Sequence, residues 1–142
     1  MRKGLKPEDL GDLLELPIVA ILATRRKDDT VMLSPVWHEW RDGGFNLWTG
    51  GLEEGKVHHL RRDPRATIVV AESSLPYRGI EVSGEATLTE VGFRELAERT
   101  AARYIGPEQA AGFAQAIQPG FVVRLQPGRL RVWDFKDDYG VA

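Results

Sequence analysis

The segment 49–56, with the sequence TGGLEEGK, combines a threonine, three glycines and a lysine within eight residues. Glycines let the backbone approach a bound molecule closely. The segment lies between a predicted strand end and a predicted helix start, and the free N–H groups at a helix N-terminus favour phosphate. A lysine in the first helical turn opposes the helix dipole unless an anion lies beside it. The spacing therefore predicts that Thr49 and Lys56 hold a phosphate; the alternative is an exposed lysine on a glycine-rich turn.

The stretch 56–65, KVHHLRRDPR, carries four cations and two histidines. A solvated helix face is the favoured interpretation for Arg61 and Arg62. Nucleic-acid binding is disfavoured because the whole chain has 19 basic and 21 acidic residues, a net charge of −2. His58 and His59 are adjacent and point about 100° apart on a helix, so together with His38 they make a poor metal site. We predict no metal, and the lack of a G-x-S-x-G motif disfavours hydrolase chemistry.

The chain has 142 residues and no cysteine. This composition excludes disulfides, thiolate catalysis and iron–sulfur clusters. One domain over residues 1–142 is the expectation for this length. The N-terminal region lacks the apolar core of an export signal, and no apolar run reaches the length of a membrane span. We therefore expect a cytoplasmic protein with no membrane partner.

Hydrophobic patterning predicts seven short strands joined mainly by turns. Pro35 is expected to make its strand an edge or bulged strand. Asp42-Gly43-Gly44 is a strong hairpin signal, and a last hairpin is predicted across Pro127-Gly128. This order favours a mainly β, antiparallel, closed or partly closed barrel with helices outside. The predicted strands are 18–24, 31–40, 45–49, 66–71, 79–89, 121–125 and 130–135, and the predicted helices begin at Pro7 and span 53–62, 93–104 and 107–117.

Aromatic residues cluster near the glycine-rich segment. Trp37, Trp40 and Trp48 fall in the hairpin beside it, Tyr77 precedes the long alternating strand, and Trp133 lies in the last strand. Planar cofactors often pack against such side chains. The alternative for any single residue is that it fills the core of a small barrel.

Four groups of residues follow one another along the chain: ILAT at 21–24, LSPVW at 33–37, Thr49 with Lys56 and LRRDPR at 60–65, and Tyr77-Arg78 followed by Glu81-Val82 and Gly84-Glu85-Ala86. In this order they resemble the motifs of the pyridoxamine-phosphate-oxidase-like split β-barrel superfamily, and within it those of the small flavin and deazaflavin oxidoreductases often described as F420-dependent. The resemblance covers roughly residues 10–135. It implies an antiparallel split β-barrel (the FMN-binding split barrel) with flanking helices, which agrees with the predicted element order.

The resemblance also implies a homodimer with two cofactor sites at the subunit interface. Lys56 would hold the cofactor phosphate, Tyr77 and Arg78 would come from the partner subunit, and Arg131 and Trp133 are weaker candidates. Two further sets are implied: Met32, Leu33, Ser34, Val36 and Trp37 along the ring system, and Thr49, Gly50 and Gly51 along the ribityl chain.

The chain departs from this pattern at one point: Glu54 and Gly55 stand where many members have an arginine or Ser-Arg before the phosphate-binding lysine. FMN and F420 share a tricyclic ring, a ribityl chain and a phosphate, and F420 adds a lactyl-oligoglutamate tail that Arg25, Arg26 and Arg61 could contact. The resemblance favours F420 over FMN. It implies an oxidoreductase that transfers a hydride to a small organic acceptor. The alternatives are a cofactor carrier or sensor without turnover and, less favoured, a small-barrel nucleic-acid binder.

Overall fold

A computed structural model describes residues 1, 2 and 4–139 of the chain. Two short 3₁₀ turns, Pro7–Leu10 and Leu13–Glu15, open the fold. The helices are α1 (Gly55–Arg62), α2 (Phe93–Ile105) and α3 (Pro107–Ala116). The strands are β1 (Ala20–Arg25), β2 (Val31–Val36), β3 (Glu39–Arg41), β4 (Gly44–Trp48), β5 (Arg65–Ala71), β6 (Gly79–Thr89), β7 (Val122–Leu125) and β8 (Arg129–Trp133).

All eight strands belong to one antiparallel sheet with the order β2-β1-β5-β6-β7-β4-β3, and β8 also pairs with β6. The strand β6 is the longest and carries the alternating pattern that the sequence predicts, with Ile80, Val82 and Ala86 buried and Glu85 and Thr87 exposed. The sheet curls around one core. The predicted split barrel with flanking helices is thereby confirmed.

The core gathers the apolar side chains that alternate inward along the strands, because successive strand residues point to opposite faces. The two 3₁₀ turns close one end of it with Leu10 and Leu13, which are almost fully buried. Leu60 of α1 also belongs to the core, and the sheet supplies most of its other large members: Leu22, Phe45, Leu47, Ile68, Val70, Ile80, Val82, Val123 and Leu125.

The predicted strand 31–40 is wrong in its length, because the chain leaves the sheet at Trp37 and His38. β2 and β3 lie at opposite ends of the strand order. Side chains of α2 bind the backbone at the break: the Arg103 guanidinium donates to the His38 carbonyl at 2.5 Å, and the His38 N–H donates to the Tyr104 hydroxyl at 3.3 Å. Pro35 lies in the terminal strand of the order, which confirms the edge prediction.

The predicted turn at Asp42-Gly43 is confirmed, and the predicted hairpin at Pro127-Gly128 is wrong. Asp42 and Gly43 both have positive φ, at 51° and 73°, as a tight two-residue hairpin turn requires. β7 and β8 instead pair with successive parts of β6, at 86–89 and 79–83. The Gly128 N–H donates to the Ser83 carbonyl at 2.8 Å. The interruption is therefore a bulge in the segment between β7 and β8, opposite β6.

Candidate functional site

A cavity of about 380 Å³ opens where the end of β2 meets the loop before α1. Its volume lies within the range of small-molecule sites. Most of its wall is apolar or aromatic, and its two charged residues, Glu54 and Lys56, lie together. The lining residues are Val19, Pro35, Val36, Trp37, Trp48, Gly50, Glu54, Lys56 and Phe113. The cavity therefore combines a surface suited to a flat ring with a cation suited to an anionic group.

The aromatic wall is held in place by neighbouring rings. Trp37 stacks on Tyr104 with 4.9 Å between ring centroids and an interplanar angle of 4°. Trp48 meets Trp37 edge-on at 5.9 Å, and its indole N–H donates to the Thr100 hydroxyl at 2.9 Å. Phe113 of α3 packs against both tryptophans. Such contacts fix the orientation of the rings, so the wall exists before a ligand arrives.

Tyr104 also fixes the backbone behind this wall. Its hydroxyl donates to the Ile18 carbonyl at 2.6 Å and accepts from the His38 N–H. One side chain of α2 thus joins the segment before β1 to the segment after β2. The break in the predicted strand is what turns Trp37 towards the helices and the cavity.

The glycine-rich loop is anchored by Thr49, which is fully buried. Its hydroxyl donates to the Gly51 carbonyl at 2.6 Å and accepts from the Phe121 N–H at 2.8 Å. Gly120 makes this approach possible, because a Cβ there would lie 2.3 Å from the Thr49 carbonyl oxygen. Through these two hydrogen bonds, Thr49 stabilises the conformation of the loop.

Lys56 lies in the first turn of α1, as predicted, and its side chain is 16% exposed. Its ammonium lies 3.2 Å from the Glu54 carboxylate. The same carboxylate accepts from the Gly50 N–H at 2.8 Å. Glu54 therefore engages both the cation and the backbone donor at this end of the cavity.

The five residues predicted along the ring do not share one surface. Val36 and Trp37 line the cavity. Met32 and Ser34 pair with the buried Thr24 and Leu22, so they share the core-side face of the sheet with Val36. Leu33 points to the opposite face, where it is 67% exposed.

Tyr77 and Arg78 lie outside this cavity. The Arg78 guanidinium donates to both Glu72 carboxylate oxygens, at 2.7 and 2.9 Å, and to Asp12 at 2.8 Å. The bonds to Glu72 raise the pKa of Arg78 and lower that of the Glu72 carboxyl. Within its own chain Arg78 is thus a structural anchor. Its predicted role, like that of the half-exposed Tyr77, concerns a partner subunit and stays a prediction.

The weaker candidates Arg131 and Trp133 also lie outside the cavity, on β8. The Arg131 guanidinium lies 4.7 Å from the centroid of the Trp133 ring and 3.3 Å from the Glu81 carboxylate. The arginines suggested for a cofactor tail lie elsewhere too. Arg61 covers the Phe121 ring at 5.0 Å, and Arg26 donates to the Val31 carbonyl at 2.9 Å.

A larger cavity of about 530 Å³ lies by β1, β5 and β6 and is lined in part by Arg25, Arg65 and Arg129. Arg65 is paired with Asp63 at 2.7 Å and Arg25 with Asp29 at 3.3 Å. The carboxylate of Glu85 lines the same cavity, and no aromatic side chain does. Because two of its three arginines are already paired with carboxylates and its lining has no flat wall, it is a poorer candidate than the cavity at Trp37.

The basic stretch 56–65 contacts the chain itself. Arg62 donates to the Arg25 carbonyl at 2.7 Å, and the His59 ring shares a hydrogen bond with the Thr24 hydroxyl at 3.0 Å. His58 pairs with Glu53 at 3.3 Å. These contacts support the interpretation of a solvated, structurally used helix face.

His38 is completely buried, and neither of its ring nitrogens has a hydrogen-bond partner in the described part of the chain. The ring packs edge-on against Phe45 and Tyr104. Burial, helped by the charge of Arg103, lowers its pKa from 6.5 to about 4. His38 is therefore a neutral core side chain at neutral pH.

Among residues 1, 2 and 4–139, no three histidine, cysteine, aspartate or glutamate side chains form a group that could hold a metal ion. Over the same residues, no helix is long and apolar enough to cross a membrane.

The sequence does not single out Val19, Pro35 and Phe113 as cavity residues. Phe113 follows the apolar pattern of α3, which signals only that it faces a neighbour. Its place beside Trp37 depends on the packing of α3, which no local pattern encodes. Trp48 was marked only as an aromatic near the loop.

A curled antiparallel sheet with flanking helices and an aromatic cavity beside a lysine defines this chain as a split-barrel protein. The sequence profile of the family described as pyridoxamine 5'-phosphate oxidase matches residues 7–134. The chain belongs to this family.

Solved structures share the fold. A conserved hypothetical protein of Mycobacterium tuberculosis is 26% identical, with a TM-score of 0.79 over 99% of this chain and 91% of that one. An F420 reductase is 22% identical, with a TM-score of 0.70 over 88% of this chain and 98% of its own. An FAD-binding protein of Mesorhizobium loti is 14% identical, with a TM-score of 0.64 over 90% and 92% of the two chains. A search of curated proteins found no match.

Proposed function

We propose that this protein is an oxidoreductase that uses a bound flavin or deazaflavin, with F420 favoured over FMN, to transfer a hydride to a small organic acceptor. The observation that carries the proposal is the continuity of one cavity from the Trp37 wall to Lys56. Among proteins of the same fold are an F420 reductase and an FAD-binding protein, which supports this class of cofactor.

The residues present fit such a group. Val36, Trp37 and Trp48 offer an apolar surface for a tricyclic ring. The Lys56 ammonium and the Gly50 N–H, both in contact with the Glu54 carboxylate, are the donors that a phosphate oxygen would take over from it. Gly50 keeps the backbone open there, because a Cβ would lie 2.9 Å from the Glu54 carboxylate. When bound, the cofactor would supply the hydride-transfer chemistry.

The chain itself would bind the cofactor, orient it and exclude water from the site. The stacked tryptophan wall sets the plane of the ring, and Lys56 sets its position along the cavity. Glu54 and Lys56 are the titratable groups among the lining residues of the described chain. We therefore assign no side chain to proton transfer at the acceptor.

The proposal includes a homodimer. The outer face of β1 and β2 presents Val31 and Leu33, which are 46% and 67% exposed, beside Pro35, Ile21 and Ala23, with Arg25 at its edge. An exposed apolar sheet face of this kind is typical of an interaction surface. A second copy covering it would add its own residues to each site, including Tyr77 and Arg78 by the resemblance.

Lys56→Ala tests the phosphate assignment. We expect it to weaken FMN or F420 binding at least tenfold, because a charge-assisted contact contributes about 1.5–3 kcal/mol. Quenching of cofactor fluorescence during titration measures the affinity. Lys27→Ala, in the exposed turn after β1, is the matched control and should bind like the unmodified protein. Equal affinity of both variants would remove Lys56 from the site.

A carrier or sensor without turnover is the second candidate, favoured by the lack of a titratable group beyond Glu54 and Lys56 in the described lining. The two functions separate when the reduced, cofactor-loaded protein meets quinones, nitro compounds and tetrapyrroles. Reoxidation by one acceptor class supports the oxidoreductase, and a stable reduced cofactor with all three supports the carrier.

A further inference from the structure

Glu54 occupies an unusual position for a residue that precedes a helix. It is the N-cap residue of α1, yet its side chain makes no capping hydrogen bond to that helix. The carboxylate turns back along the chain to the Gly50 N–H at 2.8 Å and to the Lys56 ammonium at 3.2 Å. Its position is thus set by the cavity and not by the helix end.

The contact is closely fitted on the loop side. A Cβ at Gly50 would lie 2.9 Å from Glu54 Oε1, so a side chain at that position would displace the carboxylate. Glu54 also lines both this cavity and the neighbouring one formed by Gly51, Leu52 and Pro119. The carboxylate therefore has a defined place at the junction of the two cavities.

A backbone N–H and an ammonium are the donors that a phosphate oxygen requires. In this chain the Glu54 carboxylate already contacts both donors. A ligand phosphate must displace the carboxylate from them, and the displaced carboxylate stays close because Glu54 lies in the same loop. The repulsion between the carboxylate and the phosphate beside it grows with the charge of that phosphate group.

Phosphate groups differ in that charge. A phosphate monoester, as in FMN, carries about −1.5 to −2 charges at pH 7. A diester, such as the phosphate of F420 between its ribityl and lactyl groups, carries a single charge. The neighbouring carboxylate therefore penalises the monoester more than the diester.

We infer that Glu54 is a specificity-determining residue, which competes for the donors of Lys56 and Gly50 and disfavours phosphate monoesters relative to diesters. The inference rests on the proposed function, since it takes Lys56 as the phosphate-binding residue. On this inference, a glutamate at residue 54, where many family members have a basic residue, influences which cofactor the protein binds.

Glu54→Gln tests the inference, because glutamine keeps the size and the acceptor oxygen for the Gly50 N–H but removes the charge. We expect FMN to bind about tenfold more tightly and F420 roughly threefold more tightly. Riboflavin has no phosphate, so its affinity should stay within about twofold. Glu53→Gln is the control, because Glu53 is the neighbouring carboxylate and pairs with His58 instead.

Titration of riboflavin, FMN, F420 and inorganic phosphate separates the outcomes. If FMN binds but its affinity relative to riboflavin and F420 does not change in Glu54→Gln, the inference is overturned and the proposed function stands. If no flavin or deazaflavin binds, yet phosphate binds Glu54→Gln more tightly than the unmodified protein, the proposed function fails and the competing role of Glu54 stands. If no titrant binds any variant, both are overturned. Thermal unfolding of each variant verifies that it is folded.

Discussion

At the scale of single residues, Lys56 and Thr49 illustrate how one motif divides into two tasks. Both were predicted to hold a phosphate. The structure places Lys56 in the cavity wall, whereas the Thr49 hydroxyl is used by Gly51 and Phe121 within the chain. Residue type and spacing identified a loop that borders the cavity. They could not tell which polar atom faces a ligand, because that depends on partners far along the chain such as Phe121.

His38 gives a prediction about stability and pH. Its pKa is about 4 in the folded protein against 6.5 when unfolded. Between these values the unfolded state binds more protons, so stability falls as pH decreases through this window. From pH 7.5 to pH 5.0 we expect His38 to remove about 2 kcal/mol of unfolding free energy.

Urea unfolding at the two pH values measures this effect. In His38→Leu that loss should disappear, whereas in His58→Gln, which alters an exposed ring, it should remain. An unchanged pH dependence in His38→Leu would contradict the assignment.

At the scale of elements, side chains of α2 bind the backbone before β1 and after β2, and these contacts determine where β2 ends. Arg103 and Tyr104 bind the backbone at His38 and before β1, so a segment that alternates like a strand leaves the ladder. Strand content, the Asp42-Gly43 turn and the three main helices follow from local patterns. The break at Trp37 and the bulge at Gly128 do not, because side chains from distant elements satisfy those backbone groups.

Tyr104→Phe tests this tie. It removes the hydroxyl that bonds to Ile18 and His38 while it keeps the ring that stacks on Trp37. Two backbone groups lose a partner, so we expect the variant to lose about 1–3 kcal/mol of unfolding free energy. Tyr139→Phe, at a residue that is 57% exposed, should unfold like the unmodified protein. If chemical denaturation gives the same unfolding free energy for all three proteins, the Tyr104 hydroxyl does not stabilise the fold.

At the scale of the whole molecule, the sheet has two faces with different surroundings. One face encloses the core, and the other presents the apolar positions of β1 and β2. Alternation in the sequence predicts two different faces for β6, whereas the exposed face of β1 and β2 is seen only in the structure. The resemblance, and not the alternation, supplied the expectation of a second copy.

Leu33→Glu tests the homodimer. A carboxylate in an apolar interface stays unpaired, so we expect the variant to be monomeric where the unmodified protein is dimeric. Light scattering after size-exclusion chromatography measures the mass. Val91→Glu, at a residue that is 83% exposed outside that face, should keep the unmodified mass. A monomeric unmodified protein, or a dimeric Leu33→Glu variant, would rule out this face as the interface.

The aromatic wall also has a spectroscopic consequence. Two of the four tryptophans, Trp37 and Trp48, line the cavity, whereas Trp40 packs on Phe45 and Trp133 lies under Arg131. A yellow chromophore seated on that wall absorbs where indoles emit and would accept their excitation energy directly. With the proposed cofactor bound, Trp37 and Trp48 would lie against it, so tryptophan emission would report binding.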